Sequence, residues 1–134
     1  MASPQRPLSP FMLGSYYRFQ LTSVTSLIHR ASGVVLALAV FGLAWWLCAV
    51  AAGPEALQRF RDCAGSGLGQ LAIAAVVFAV CYHFFNGLRH LLWDTGWGLE
   101  LKQAYATGWA AIVLALLSAL AICAAGFGWF GGAA

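Results

Sequence analysis

The sequence predicts an all-α membrane protein: three transmembrane helices in an up-down bundle, N-terminus in the cytoplasm and C-terminus on the opposite side. Three observations carry this. Only 8% of the 134 residues are charged and 62% are hydrophobic, against roughly 25% charged in an ordinary soluble domain. Three long stretches, residues 31–54, 63–88 and 103–134, contain no Asp, Glu, Lys or Arg. Each exceeds the roughly 20 helical residues that cross a bilayer core of about 30 Å.

The first helix is expected near residues 28–51, ended by Gly53-Pro54, a strong local breaker. The second is expected near 69–93, after the loose Gly65-Ser66-Gly67. The third is expected near 106–130. Trp45 and Trp46, Trp93 and Trp97, and Trp109 and Trp129 fall towards span ends, as in an interfacial aromatic belt. Residues 1–134 read as a single membrane-anchor domain, of which 1–27 form a cytoplasmic N-terminal segment.

Orientation follows from the basic residues. Arg6, Arg18, Arg30, Arg89 and Lys102 fall on the N-terminal side, and only Arg59 and Arg61 on the other. The excess of Lys and Arg marks the cytoplasmic face. A cleaved signal peptide over residues 33–51 is disfavoured, because the preceding leader and the apolar run are both too long. The leader is short and poor in arginine for a mitochondrial transit peptide, which favours a bacterial inner membrane over a mitochondrial one.

Composition also excludes function classes. The net charge of +3 is scattered, so no nucleic-acid stripe is present. Cys48, Cys63, Cys81 and Cys123 form no C-x-x-C pair, which argues against a disulfide framework, a zinc site or covalent haem attachment. Ala111, Ala115, Ala119 and Cys123 make a small-residue stripe on the third helix, suited to close helix packing.

The polar residues inside the spans hold the chemistry. His83, Gly87, His90 and Asp94 recur at spacings of four, three and four, one face of the second helix. His83 lies about 15 Å before Trp93 at the helical rise. An ionisable group at that depth needs a partner: a hydrogen-bond acceptor, a proton pathway or a metal. Neutral imidazole is an axial ligand of haem iron, and Gly87 leaves room for a flat macrocycle. A haem ligand, a hydrogen-bonded structural histidine and a proton carrier all fit. His83 and His90 are about 10 Å apart along the axis and cannot bind one iron, so a bis-histidine haem needs another chain. At the start of the first helix, Thr22, Thr25, Ser26, His29 and Arg30 form a second polar group. Together with Arg89, His90 and Asp94 they build a basic corner, read either as snorkelling arginines or as a pocket for an amphipathic ligand.

Four blocks bear a family likeness: Arg6-Pro7-Leu8-Ser9-Pro10, Tyr17 through Ser23, Ser26-Leu27-Ile28-His29-Arg30-Ala31-Ser32-Gly33, and His83 through Asn86-Gly87-Leu88-Arg89-His90-Leu91 to Trp93-Asp94. In these the chain resembles the cytochrome b membrane-anchor subunit of succinate dehydrogenase, respiratory complex II. One departure is Phe11-Met12, where the family often has histidine after the first block.

The resemblance implies a flavoprotein subunit, an iron–sulphur subunit and a second small membrane anchor as partners in the bilayer. It implies His83 as axial ligand of haem b, with the opposite ligand on the second anchor, and His29, Arg30 and His90 near the haem propionates. Ser26, Arg30 and Asp94 would help form a ubiquinone-reduction site. No flavin motif or cluster-binding cysteine set is present, so the chain is expected to catalyse nothing alone. The alternatives are the anchor of a related fumarate reductase, or a small non-redox transporter or assembly component.

Overall fold

A computed structural model of the chain describes residues 19–128. The Arg-Pro-Leu-Ser-Pro block, most of the leader and Trp129 lie outside the described residues. Four helices follow in order: α1 (Leu21–Ala52), α2 (Pro54–Gly65), α3 (Gly67–Asp94) and α4 (Leu101–Gly126). Among the described residues there is no strand. Helices α1, α3 and α4 are long and apolar enough to cross a membrane, as the charge-free stretches predict.

Two boundaries differ from the sequence expectation. Helix α1 begins at Leu21, seven residues before the expected start, because Gln20 and Ser23 close a reciprocal capping box there. Its 32 residues extend about 48 Å, well beyond an apolar core of about 30 Å. The Thr- and Ser-rich turn is therefore helical and belongs to the span's polar end. Helix α4 likewise starts at Leu101 rather than near 106.

The connection between the first two spans is itself a helix, α2. Gly53, at φ 105°, breaks α1, and Pro54 then occupies the first turn of the new helix, where a missing N–H costs nothing. None of its residues is buried. It is tied to α1 by an edge contact of Trp45 on Phe60, ring centroids 4.9 Å apart.

Helix α3 is the central element, packing most extensively against α4 and next against α1, while α1 and α4 touch little. The α3–α4 seam buries Ala104, Gly108, Ala111, Ala115 and Ala119 of α4. These small side chains let the helices approach closely. Cys81 and Tyr82 of α3 meet Ala115 and Ala119 in the core, flanked by Ile28, Val77, Phe78, Phe85 and Ile112. The small-residue stripe is thus an internal packing face. The outward surfaces keep their large apolar side chains exposed, among them Phe41, Leu71, Phe84 and Leu117, as lipid or protein partners require.

Candidate functional site

The antiparallel packing of α1 on α3 sets the register of the polar groups. On α1, Thr25, His29 and Ser32 recur at spacings of four and three and therefore share a face. Ser32 meets His83, with Oγ 3.1 Å from Nδ1, and Thr25 meets Arg89, nearly two turns further along α3.

Around His83 the contacts are close. Its ring stacks on His29, with centroids 4.0 Å apart and planes 16° apart. Gly33 presses against its edge: a Cβ there would lie 3.3 Å from Cε1. Ser32 Oγ also donates to the His29 carbonyl at 2.7 Å. On the far side of the ring, Nε2 makes no hydrogen bond among the described residues and is not an enclosed atom. Gly87 looks onto open space, with nothing within 4 Å of a Cβ built on it. The glycine that touches His83 is therefore Gly33, and Gly87 leaves a vacant strip of α3 beside it.

His90 completes a group of three imidazoles. Its centroid is 5.3 Å from that of His29, and its Nε2 accepts from the Asn86 amide at 3.3 Å. Trp93 lies edge-on to it at 5.0 Å. His29 Nδ1 is buried with no hydrogen-bond partner among the described residues. No cluster of three His, Cys, Asp or Glu among the described residues is arranged to hold a bare metal ion. A single imidazole nitrogen opening on an apolar flank can serve as one axial ligand, as haem iron requires.

Ser26 and Arg30 lie on the flank of α1 beside this group. The Arg30 Nε donates to the Ser26 carbonyl at 3.4 Å, so the exposed side chain turns back towards the N-terminal end of its helix. The Ser26 hydroxyl makes no hydrogen bond among the described residues. Asp94 is exposed at the end of α3, and no ion pair joins it to Arg30 among the described residues. His29, Arg30, Ser26, His83 and His90 are thus gathered at one end of the α1–α3 interface, whereas Asp94 stands at its margin.

Helical spacing puts Arg89 in a polar, basic corner at one interface, and the structure buries it there, at 4% exposure. Its guanidinium donates to Thr107 Oγ1 (3.1 Å), Thr25 Oγ1 (3.3 Å), Asn86 Oδ1 (3.4 Å) and the Ala104 carbonyl (2.9 Å). It also lies 4.1 Å from the Trp93 ring centroid, a cation–π geometry. Every acceptor is neutral. Nearby, Tyr82 donates through its hydroxyl to the Thr25 carbonyl at 3.0 Å. Thr25, Tyr82, Asn86, Thr107 and Arg89 therefore form a scaffold beneath the histidines. Thr107 gave no sequence signal and Asn86 only its place in the His83–Asp94 block, because their role depends on interhelical register.

Comparisons with known proteins identify the family. Residues 2–122 match the family described as "Succinate dehydrogenase/Fumarate reductase transmembrane subunit". The chain is 40% identical over 113 residues to the succinate dehydrogenase cytochrome b556 subunit of Rickettsia felis, covering 84% of this chain and 86% of that one. It is 36% identical over 117 residues to the b556 subunit of Paracoccus denitrificans, covering 84% and 88%. The mitochondrial cytochrome b560 subunit of Bos taurus is 39% identical over 123 residues, covering 89% and 70%.

Proposed function

The chain belongs to the succinate dehydrogenase/fumarate reductase transmembrane subunit family, and from that premise we propose how its residues serve electron transfer to quinone. As a multi-pass membrane subunit of that oxidoreductase, it anchors the soluble flavoprotein and iron–sulphur subunits to the bilayer. His83 would hold one haem b that a second small anchor would share, and the chain would form part of the ubiquinone-reduction site. Its N-terminus lies in the cytoplasm of a bacterium and its helices cross the inner membrane. No catalysis is expected of the chain alone.

One observation carries the haem assignment. His83 Nε2 makes no hydrogen bond among the described residues, and Gly87, one turn on, leaves the backbone bare, while Ser32 engages Nδ1, His29 covers one ring face and Gly33 abuts Cε1. Haem b, when bound, supplies a one-electron store between the soluble subunits and the quinone. The apolar flanks of α1 and α3 exclude water from the ring, and His29, Arg30 and His90 would offer donors to its propionates.

At the quinone site the chain's own residues account for binding and charge. Ser26 has an uncommitted hydroxyl that can donate to a quinone carbonyl. Arg30, by turning away from its contact with the Ser26 carbonyl, can place its guanidinium beside an oxygen that gains electron density on reduction. Asp94, exposed at the same end of the bundle, is positioned to pass protons between water and this region.

The test is the reduced-minus-oxidised absorbance spectrum of the complex purified with its co-isolating subunits. A haem b band is expected in the natural complex and absent in His83→Leu. A band that survives that substitution would sink the ligand assignment, and a complex without haem would favour a non-redox role.

A further inference from the structure

The Ser32 hydroxyl has one proton and stands between two groups. It lies 2.7 Å from the His29 carbonyl oxygen and 3.1 Å from His83 Nδ1. A carbonyl oxygen can only accept, and a serine in a helix commonly spends its proton on a carbonyl three or four residues back. The shorter of the two contacts is that one. Once the proton is committed there, the Ser32 oxygen can engage Nδ1 only as an acceptor. His83 must then carry its proton on Nδ1, which leaves Nε2 with an available lone pair. In the other tautomer, Nδ1 and the serine oxygen would face each other as two acceptors with no proton between them.

We propose that Ser32 is a positioning residue that fixes His83 in the Nδ1–H tautomer and, through that hydrogen bond, increases the electron donation of Nε2 to haem iron. The inference rests on His83 being the axial ligand, and it goes further by assigning the group that orients and tunes it. Hydrogen-bonded partners of a ligating imidazole set its tautomer, ring plane and basicity. Three contacts on three sides hold the ring here. Ser32 holds Nδ1, the His29 ring covers one face, and Gly33 abuts Cε1. Ser32 is itself 5% exposed, so water does not compete for the bond. The chain Nδ1–H to Ser32 to the His29 carbonyl also ties the ligand to the backbone of α1, a helix other than its own.

The experiment compares Ser32→Ala, Ser32→Thr and Ser32→Cys in the full complex. Haem content, the haem midpoint potential and the low-spin haem electron paramagnetic resonance spectrum are the readouts. Ser32→Ala removes the acceptor, weakens donation to iron and destabilises the oxidised form. Its midpoint potential should rise and its principal g-values should change, while haem content remains near that of the natural complex. Ser32→Thr keeps the hydroxyl and should restore both quantities. Ser32→Cys, with a weaker acceptor of similar size, should fall between them and provides the comparison with Thr if the alanine variant does not assemble. Unchanged potential and g-values in the alanine or cysteine variant would overturn the proposal, as would an identical shift in the threonine variant. A natural complex lacking haem, or a His83→Leu complex that keeps its spectrum, would instead refute the ligand assignment beneath it.

Discussion

Arg89 reaches from α3 to α1 and donates through Nη1 to the Thr25 hydroxyl at 3.3 Å, a contact between two residues 64 positions apart. The same guanidinium engages Ala104 and Thr107 of α4, so one side chain joins all three long helices. Arg89→Leu should destabilise the subunit by about 3 kcal/mol or more, since it removes charge-assisted hydrogen bonds and strands buried partners. Arg89→Lys should recover only part of this, because an ammonium cannot reproduce the planar fork. Thermal unfolding of the detergent-solubilised complex measures both. An Arg89→Leu complex as stable as the natural one would contradict the scaffold role.

The α3–α4 seam makes a graded prediction. Ala115 has no exposed surface, and Ala115→Leu should cost about 1–3 kcal/mol by overpacking. Gly108→Ala should be far milder. Its added Cβ would meet the flexible end of Leu21 at 3.2 Å, and Arg89 Nη2 only at 3.6 Å. The order of unfolding temperatures, natural chain, then Gly108→Ala, then Ala115→Leu, tests how tightly the small residues of α4 are packed.

Gly33 sets the room for the His83 ring. Gly33→Ala forces Cε1, 3.3 Å from the new methyl, to yield by a few tenths of an ångström. The expected result is retained haem with altered spectral lines. Gly33→Val fills the same space with two further carbons and should lower the haem-to-protein ratio severely. Full haem loading in the valine variant would show that the ring is not confined from this side.

For the quinone pocket, Ser26→Ala and Arg30→Leu should each lower succinate-to-quinone turnover. Reduction of an artificial acceptor by the soluble subunits should continue at the natural rate. Equal loss of both activities would point to failed assembly rather than a lost quinone contact.

Much of this was legible in the sequence, and the boundary is physical. Absence of charge over more than 20 residues at a time determines a membrane span by itself, so α1, α3 and α4 could be named in advance. Helix α2 could not, because Gly53-Pro54 is equally a stop signal and a start signal. The pair ends α1, but the proline also suits the first turn of the next helix. Helical spacing put His83 on the same face as His90 but said nothing of what α1 brings opposite. The roles of Ser32, Gly33 and His29 come from the register between helices, which no local pattern encodes. Arg89 shows the same limit from the other side. An arginine near a span end reads as a charge that faces water, and only the neutral acceptors from three helices make its burial tolerable.

The two α1 hydroxyls that meet α3 each donate first within their own helix, Thr25 to the Thr22 carbonyl at 3.0 Å and Ser32 to the His29 carbonyl at 2.7 Å. This bears on biogenesis. Helix α1 is synthesised before α3, and a lone polar group in lipid is penalised. Because each hydroxyl satisfies itself locally, the first helix can wait in the bilayer at little cost. Its oxygens stay available to accept Arg89 and His83 when the later segment arrives, so the site is completed by the second insertion without a bond having to break.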